Sequence, residues 1–585
     1  MHPQITVLDT GGQYTHLIAR RVRELGVFAD VQPSDTPAAD LATRKGIIIS
    51  GGPASVCAPG SPDIDPKMLA LGTPVLGICY GHQLLAKHLG GRVLKGERGE
   101  YGIAHLNVTC QDALWNGVEH SQIWMSHFDT VASVPAGFRV TGSTEISGVA
   151  AMSDPGRKLF GIQFHPEVVH THAGMRILEN FVFDICGASK DWDISRRVPA
   201  VEEQIRAVAR DRNIFFFVSG GVDSTVAYTL CLRALGPDRV YGIYVDTGLM
   251  RKGETELVRS IFQELGATHF LVDSAEDEFL AALDGLQDPE QKRCAIGEEF
   301  VRVQERILMT EHFLDGHWVL GQGTIYPDTI ESGGTAKADL IKTHHNRVAG
   351  VQALIDSGRI IEPLTPFYKD EVREIGRELG ISTKFLSRHP FPGPGLAIRC
   401  LCSEVEAQVT ETPNGFLLPL RSVGVQGDAR SYRNVLCLAR NPALEDIRNI
   451  ATALINSSPD INRVVALCGS NWPLASMRSF ESSITKKRLD LLREADAIVR
   501  SFCTETGFEE QVWQFPVVLL PIGTNEARES IVLRPINSLD GMTADVVLME
   551  QQMLQQLTTR LLQTREIAAV LYDLTSKPPG TIEWE

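Results

Sequence analysis

The chain has 585 residues, enough for three or four domains at roughly 100–200 residues each. Hydrophobic residues make up 43% and charged residues 22%, which excludes a disordered chain and suits a packed globular one. The net charge of -16 argues against a nucleic-acid surface, which needs clustered Lys and Arg, but a nucleotide needs only a few local donors.

The first 190 or so residues alternate short apolar runs with amphipathic stretches. ITVLD, GIIIS, PVLGI and LFGIQF read as buried strands. HLIARRVRELG and HQLLAKHLGG show helical spacing and stop at glycine. A polar stretch, residues 189–200, reads as a linker. A second series follows, with NIFFFVSGG, RVYGIYVDTG, THFLVD and HWVLGQG as strands. The Gly-, Lys- and His-rich segment 331–350 reads as a mobile loop. Beyond the turn-rich HPFPGPG, the strands are GFLLPLRSVGV, INRVVALCG, QVWQFPVVLLPIG and ESIVLRPI, and ADVVLMEQQMLQQLTTRLLQT reads as one long helix. These patterns predict an α/β protein. Two consecutive doubly wound parallel-sheet domains, 1–188 and 189–399, precede an α+β domain, 400–585.

The eleven cysteines lack zinc-finger spacing and suggest free thiols in a reducing cytoplasm. MHPQITVLDTGGQ lacks the pattern of a signal peptide, and no apolar run approaches membrane-span length.

Gly77-Ile-Cys79-Tyr-Gly81 places a thiol at a strand-to-helix elbow. Small flanking residues let a nucleophile stand clear of the backbone, and a helix N-terminus favours a thiolate. Taken alone, Cys79 could equally be a packing cysteine. A second strand end carries His165 and, two residues on, Glu167. Thiol, imidazole and carboxylate make a nucleophile, base and orienter set. The strand end IIISGGP adds backbone N–H groups suited to an oxyanion. These motifs resemble the class I glutamine amidotransferases over residues 1–188. The resemblance implies that Cys79 attacks the glutamine side-chain amide, with His165 as base then acid and Glu167 orienting it. The Gly52 and Tyr80 amides would form the oxyanion hole. Phe128 stands where relatives usually carry glycine, a departure on the glutamine side.

The segment Ser219-Gly220-Gly221-Val222-Asp223-Ser224 follows a β-run and opens a helix. It offers several backbone N–H groups but no lysine, so it is an anion cradle of another kind than a Walker loop. It resembles the signature of the ATP pyrophosphatases, as do Val245-Asp246-Thr-Gly-Leu249, Gly323-Thr-Ile-Tyr-Pro-Asp328 and Lys369-Asp370-Glu-Val-Arg373. The resemblance implies that ATP is cleaved between its α and β phosphates, with Ser219–Ser224 and Val245 at the nucleotide. Asp223 and Asp328 would be near Mg2+, and Lys342 and Lys369 near the pyrophosphate.

An ammonia source joined to an adenylating domain implies amination of an activated carbonyl oxygen. The stretches 389–399, 420–432, 534–545 and 572–585 resemble the glutamine-hydrolysing GMP synthetases. The implied acceptor is xanthosine monophosphate (XMP), with Arg421, Lys577 and Glu583 at its pocket. Residues 434–532 read as an insertion that leaves a homodimer or a monomer open. An amidating ligase with another acceptor, and a non-enzymatic nucleotide sensor, are the competing readings. The nucleotide motifs weigh against the first, and the intact Cys79, His165 and Asp223 against the second.

Overall fold

The computed structural model describes residues 2–331, 349–388, 391–426, 429–438, 447–458, 460–538 and 543–585. The segment containing Lys342, and with it most of the loop expected at 331–350, lies outside the described residues. The chain divides into two compact units, Met1–Arg197 and Val198–Glu585.

The first unit is built on a nine-stranded sheet. Its strands are β1 (Ile5–Asp9), β2 (Ala29–Pro33), β3 (Gly46–Ile49), β4 (Val75–Ile78), β5 (Arg92–Val108), β6 (His120–Ser133), β7 (Arg139–Ser143), β8 (Ala151–Asp154) and β9 (Leu159–Ile162). The order is β2-β1-β3-β4-β9-β8-β7-β5-β6. The first five strands pair in parallel. Strands β3, β4 and β9 are buried at every position, which is why they read as unbroken apolar runs. The remaining four extend the sheet antiparallel, a wing that their mixed polarity did not announce. Strand order reverses between β1 and β3, so the carboxyl ends of β1, β3, β4 and β9 border a switch point.

The second unit holds two large sheets. In the first, β10 (Asn213–Val218), β11 (Val240–Asp246), β12 (His269–Ser274), β13 (Trp318–Gly321) and β14 (Ile360–Ile361) lie in the order β12-β11-β10-β13-β14. All its pairs are parallel, with a switch point between β10 and β13. The expected linker at 189–200 runs into a helix, Ile194–Ala209, so only its first part is irregular.

The second sheet of this unit mixes directions. Its strands are β15 (Thr410–Thr412), β16 (Gly415–Gln426), β17 (Ala429–Leu438), β18 (Ile461–Ser470), β20 (Val517–Leu520), β22 (Glu529–Leu533) and β25 (Ile567–Asp573). Two short pairs stand apart: β19 (Arg478–Ser479) with β21 (Ile522–Gly523), and β23 (Ile536–Asn537) with β24 (Asp545–Val546). The long helix expected from Ala544 is shorter, Gln551–Leu562, because Asp545 and Val546 pair as a strand.

Both faces of this sheet are buried, and successive residues serve opposite faces. Leu519, Ile531, Val570 and Tyr572 join a cluster that also contains Phe215 and Ile243 of the parallel sheet. Val518, Val532 and Leu571 join a second cluster that contains Trp584. The C-terminal segment is therefore core.

A buried charge set holds that segment. Asp573 lies 2.7 Å from both Arg463 and Arg534, all at 0% exposure. Asp573 also accepts the Trp584 indole N–H at 2.9 Å. The Arg463 guanidinium lies over the Trp584 ring, 4.8 Å from its centroid. Burial works against the Asp573 carboxylate, but Arg534 and Arg463 overcome it and hold it below the usual range. A depressed carboxylate contributes stability above its unfolded value and loses it as pH falls through the folded one.

Asp573→Ala should leave two arginines buried without a counter-ion and destabilise the unit by about 3–5 kcal/mol. Urea unfolding reads this as a lower midpoint, and a wild-type midpoint would contradict the role given to Asp573.

Candidate active site

The switch-point edge of the first unit is assembled from four strand ends. After β1, the Thr10 hydroxyl donates to the Gly51 carbonyl at 2.8 Å, tying this turn to the one after β3. A Cβ on Gly12 would meet the Gly51 oxygen at 2.0 Å, so the two turns close only with glycine there. After β4, Cys79 takes φ 52° and ψ -101°, directly before the helix Tyr80–His88. Positive φ in a non-glycine residue is the strain expected of a nucleophile elbow. Its flanks leave no room for side chains. A Cβ on Gly77 would meet the Gly81 oxygen at 2.4 Å, and one on Gly81 would meet the Ile49 oxygen at 2.4 Å.

After β9 comes His165, buried and edge-on to Tyr14 at 5.2 Å. Its Nδ1 lies 2.7 Å from Glu167 Oε1. Burial disfavours the imidazolium. The Glu167 carboxylate and the Cys79 side chain more than offset this, so His165 is pushed up to about 10. The His165 backbone is fixed at both ends: its N–H donates to the Trp124 carbonyl at 3.1 Å, and its carbonyl accepts the Thr171 hydroxyl at 2.6 Å. A Cβ on Gly51 would stand 2.9 Å from the His165 ring and 3.4 Å from Cys79 Cβ, so both side chains border the β3 turn. Gly52 follows in that turn. Tyr80 opens the elbow helix, where backbone N–H groups have no intrahelical acceptor. Phe128 lies on β6 at 40% exposure, with the Lys95 ammonium 5.7 Å from its ring centroid.

Sequence motifs missed two of the neighbours. Gln163 Nε2 reaches Cys79 Sγ at 3.6 Å, and the Ser126 carbonyl faces the same sulfur at 3.7 Å. Gln163 was findable, being two residues before His165 in the stretch that leaves β9. Ser126 contributes only backbone from the antiparallel wing, which leaves no residue-type signal. His82, one turn into the elbow helix, is not part of the charge pair: burial pushes it down to about 3.

In the second unit, Ser219–Ser224 runs from β10 into the helix Val222–Leu235 at the other switch point. Gly220 has φ 71°, and a Cβ there would meet Val258 at 2.6 Å. The Ser219 and Ser224 hydroxyls are 3.1 Å apart, and the Gly221 N–H donates to Ser219 Oγ at 3.3 Å. The Lys369 ammonium, at the start of the helix Lys369–Glu378, is ion-paired with Asp223 Oδ2. Asp223 Oδ1 is buried and, among the described residues, has no hydrogen-bond partner. After β13, Gly323 approaches the loop so closely that a Cβ would stand 2.8 Å from the Ser224 nitrogen. Asp328 Oδ2 accepts the Ile325 N–H at 3.1 Å and so shapes its own turn. Val245 is buried near the end of β11. Among the described residues no cluster of three or more metal-ligating side chains occurs.

The nucleotide-acceptor residues expected from the tail are placed by long-range contacts. Lys577 exchanges backbone hydrogen bonds with Ala544, at 2.7 and 3.0 Å. Gly580 bridges Gly424 on β16, the strand that also carries the exposed Arg421. Glu583 is clamped by Arg399 through two bonds, 2.8 Å to Nε and 2.6 Å to Nη2. Glu585 accepts the buried Lys292 ammonium at 2.6 Å.

Comparison with known families matches this division of chemistry. The family described as glutamine amidotransferase class-I matches residues 6–185, that described as NAD synthase 194–325, and that described as GMP synthase C terminal domain 502–584. The chain is 43% identical to a protein of Leptospira interrogans (strain Fiocruz L1-130) named "Probable GMP synthase (glutamine-hydrolyzing)", over 100% of both chains. It is 38% identical to the GMP synthase (glutamine-hydrolyzing) of Caldicellulosiruptor saccharolyticus, over 100% of both. It is 39% identical to that of Syntrophomonas wolfei, over 99% of both. The chain belongs to the glutamine-hydrolysing GMP synthase family.

Within a GMP synthase of this build, the His165–Glu167 contact sets the charge of the imidazole. A histidine raised above its ordinary value contributes stability below about 6.5 and loses it as pH rises through about 10. Glu167→Gln should lower the His165 titration by at least about one unit, equivalent to about 1.4 kcal/mol. Ring NMR shifts followed against pH read this directly. A titration unmoved by the substitution would mean that Glu167 is not its cause.

Proposed function

We propose that the chain makes GMP from XMP with glutamine as nitrogen donor, in three domains: 1–188, 189–399 and 400–585 with its insertion around 434–532. One observation carries the reading. A single chain holds a thiol elbow coupled to a charged histidine and, separately, a lysine-free phosphate loop.

In the first domain Cys79 attacks the carboxamide carbon of glutamine. The proton of the Cys79 thiol sits on His165, which passes it to the leaving nitrogen, releasing ammonia and leaving a thioester. Glu167, bonded to Nδ1, keeps the other ring nitrogen facing the reaction. The Gly52 and Tyr80 amides receive the oxyanion. Water then frees glutamate.

In the second domain Ser219, Gly220, Gly221, Val222, Asp223 and Ser224 cradle the β,γ-phosphates of ATP. Val245 borders the nucleotide. The XMP O2 attacks the α-phosphorus and pyrophosphate leaves. Ammonia adds at C2 and AMP departs, giving GMP. The loop holds the leaving group rather than a transferred phosphoryl, so Lys369 is supplied from a distant helix. The unpartnered Asp223 Oδ1 suits a cation, and Asp223 with Asp328 would hold Mg2+, which screens phosphate charge. Lys342 would neutralise the pyrophosphate. Arg421 and Lys577 face the XMP phosphate and Glu583 its base or ribose. The protein works in the cytoplasm, as a homodimer or a monomer.

Cys79→Ala should abolish glutamine-dependent GMP formation and leave ammonia-dependent formation within about twofold, since removing a nucleophile costs only the steps it serves. Equal loss with both donors would sink the two-site reading. Asp223→Ala should lower AMP release by about a hundredfold or more with either donor. Retained AMP release would remove the loop from the ATP site.

A further inference from the structure

Helix Lys369–Glu378 carries a row of cations at four-residue spacing: Lys369, Arg373 and Arg377. Such residues share one helix face, each about 6 Å further along the axis. The row starts at the phosphate loop, where Lys369 meets Asp223. It ends in a cleft of about 340 Å³ whose lining includes Arg373, Arg377, Arg388, Thr383 and Trp513, with one carboxylate, Glu510, at its wall. That volume lies within the usual span for small-ligand sites, roughly 300–1,000 Å³.

Three arginines around one cleft are not explained by composition, since the chain is acidic overall at -16. Arg388 is committed to Glu254 and so is held in place. Among the described residues neither Arg373 nor Arg377 has an ion-pair partner. Arg373 Nε is buried with no acceptor. A solvated surface charge would keep that donor in water; a buried unmet donor costs about 1–3 kcal/mol. Two unpaired guanidiniums match the charge of one phosphate monoester, about -1.5 to -2 at neutral pH. The half-buried Trp513 indole supplies a flat wall on which a base can stack.

We propose that this cleft binds a purine nucleoside 5′-monophosphate, with Arg373 and Arg377 on the phosphate and Trp513 beside the base. The inference rests on the proposed function for the choice of purine. Since the acceptor XMP is assigned to Arg421, Lys577 and Glu583, the ligand of this cleft is a second purine monophosphate, such as GMP or AMP, acting as an effector.

Calorimetric titration of the full chain with XMP, GMP and AMP, with xanthosine as the phosphate-free probe, tests it. Arg373→Gln/Arg377→Gln should weaken at least one monophosphate about tenfold, the loss of a charge-assisted bond, and leave xanthosine unchanged. Weaker XMP binding with a matching rise in the KM for XMP, and unchanged GMP and AMP binding, would make the cleft the acceptor site and overturn the effector proposal. Weaker GMP or AMP binding at constant KM assigns an effector. Affinities and KM all within twofold of wild type overturn the proposal, and wild-type GMP formation then still stands as proof of the reaction. Should the double variant fail to fold, Arg377→Gln at its exposed position is read alone, with at least threefold weakening expected and none overturning the site.

Discussion

The structure depends on a geometric constraint of parallel sheets. Strands running the same way end on the same edge, and reversing the strand order opens a crevice there. The chain uses this constraint twice. In the first unit β1, β3, β4 and β9 deliver Thr10, Gly51, Cys79 and His165 to one edge. In the second, β10 and β13 deliver the Ser219–Ser224 loop and Gly323 to another. Residues far apart in sequence meet because the ladder registers are fixed, and register is fixed because both faces of the central strands are buried. Glycine is required wherever two strand ends pass within touching distance, as at Gly12, Gly77 and Gly323.

The C-terminal segment follows a different principle. It is held by charges, among apolar surroundings that would otherwise exclude them. Asp573 serves two arginines and an indole, and Arg463 in turn donates to the Val423 and Thr581 carbonyls. Such a set is weak evidence for net stability, because desolvation opposes each ion. It does specify one seating. A shift of the segment by one residue would strand several buried donors at once. Arg399 and Glu583 extend the arrangement across 184 residues of sequence, joining the turn-rich stretch before residue 399 to the last few residues. The geometry of the acceptor residues proposed on this segment is thus set by its burial.

Much of the fold was legible. Unbroken apolar runs at β1, β3, β4, β9, β10 and β11 marked central strands, and the motifs between them marked the edges. The antiparallel wing was not legible, because β5 and β6 carry long mixed stretches whose pairing is set by each other. The burial of the chain's last residues was not legible either, since a burial decided by Asp573 and two distant arginines leaves no periodic signal. Of the proposed site, Cys79, His165 and Glu167 were legible by residue type and position. The Ser126 carbonyl was not, because backbone carries no residue code.

The absence of a lysine in the phosphate loop has a physical consequence. A lysine within the loop would be tied by the backbone to the segment that cradles the phosphates. Here the cation at the loop is Lys369, whose ammonium is paired with Asp223. Both groups are thereby held in place at the loop. Under the proposed function, an arriving phosphate and cation would exchange this one ion pair for two, Lys369 with phosphate and Asp223 with the cation, so no charge would be left uncompensated during binding. When pyrophosphate left, the same pair would re-form. A loop that must let its phosphates go is better served by a removable cation than by a built-in one, because the Asp223–Lys369 pair offsets part of what release gives up.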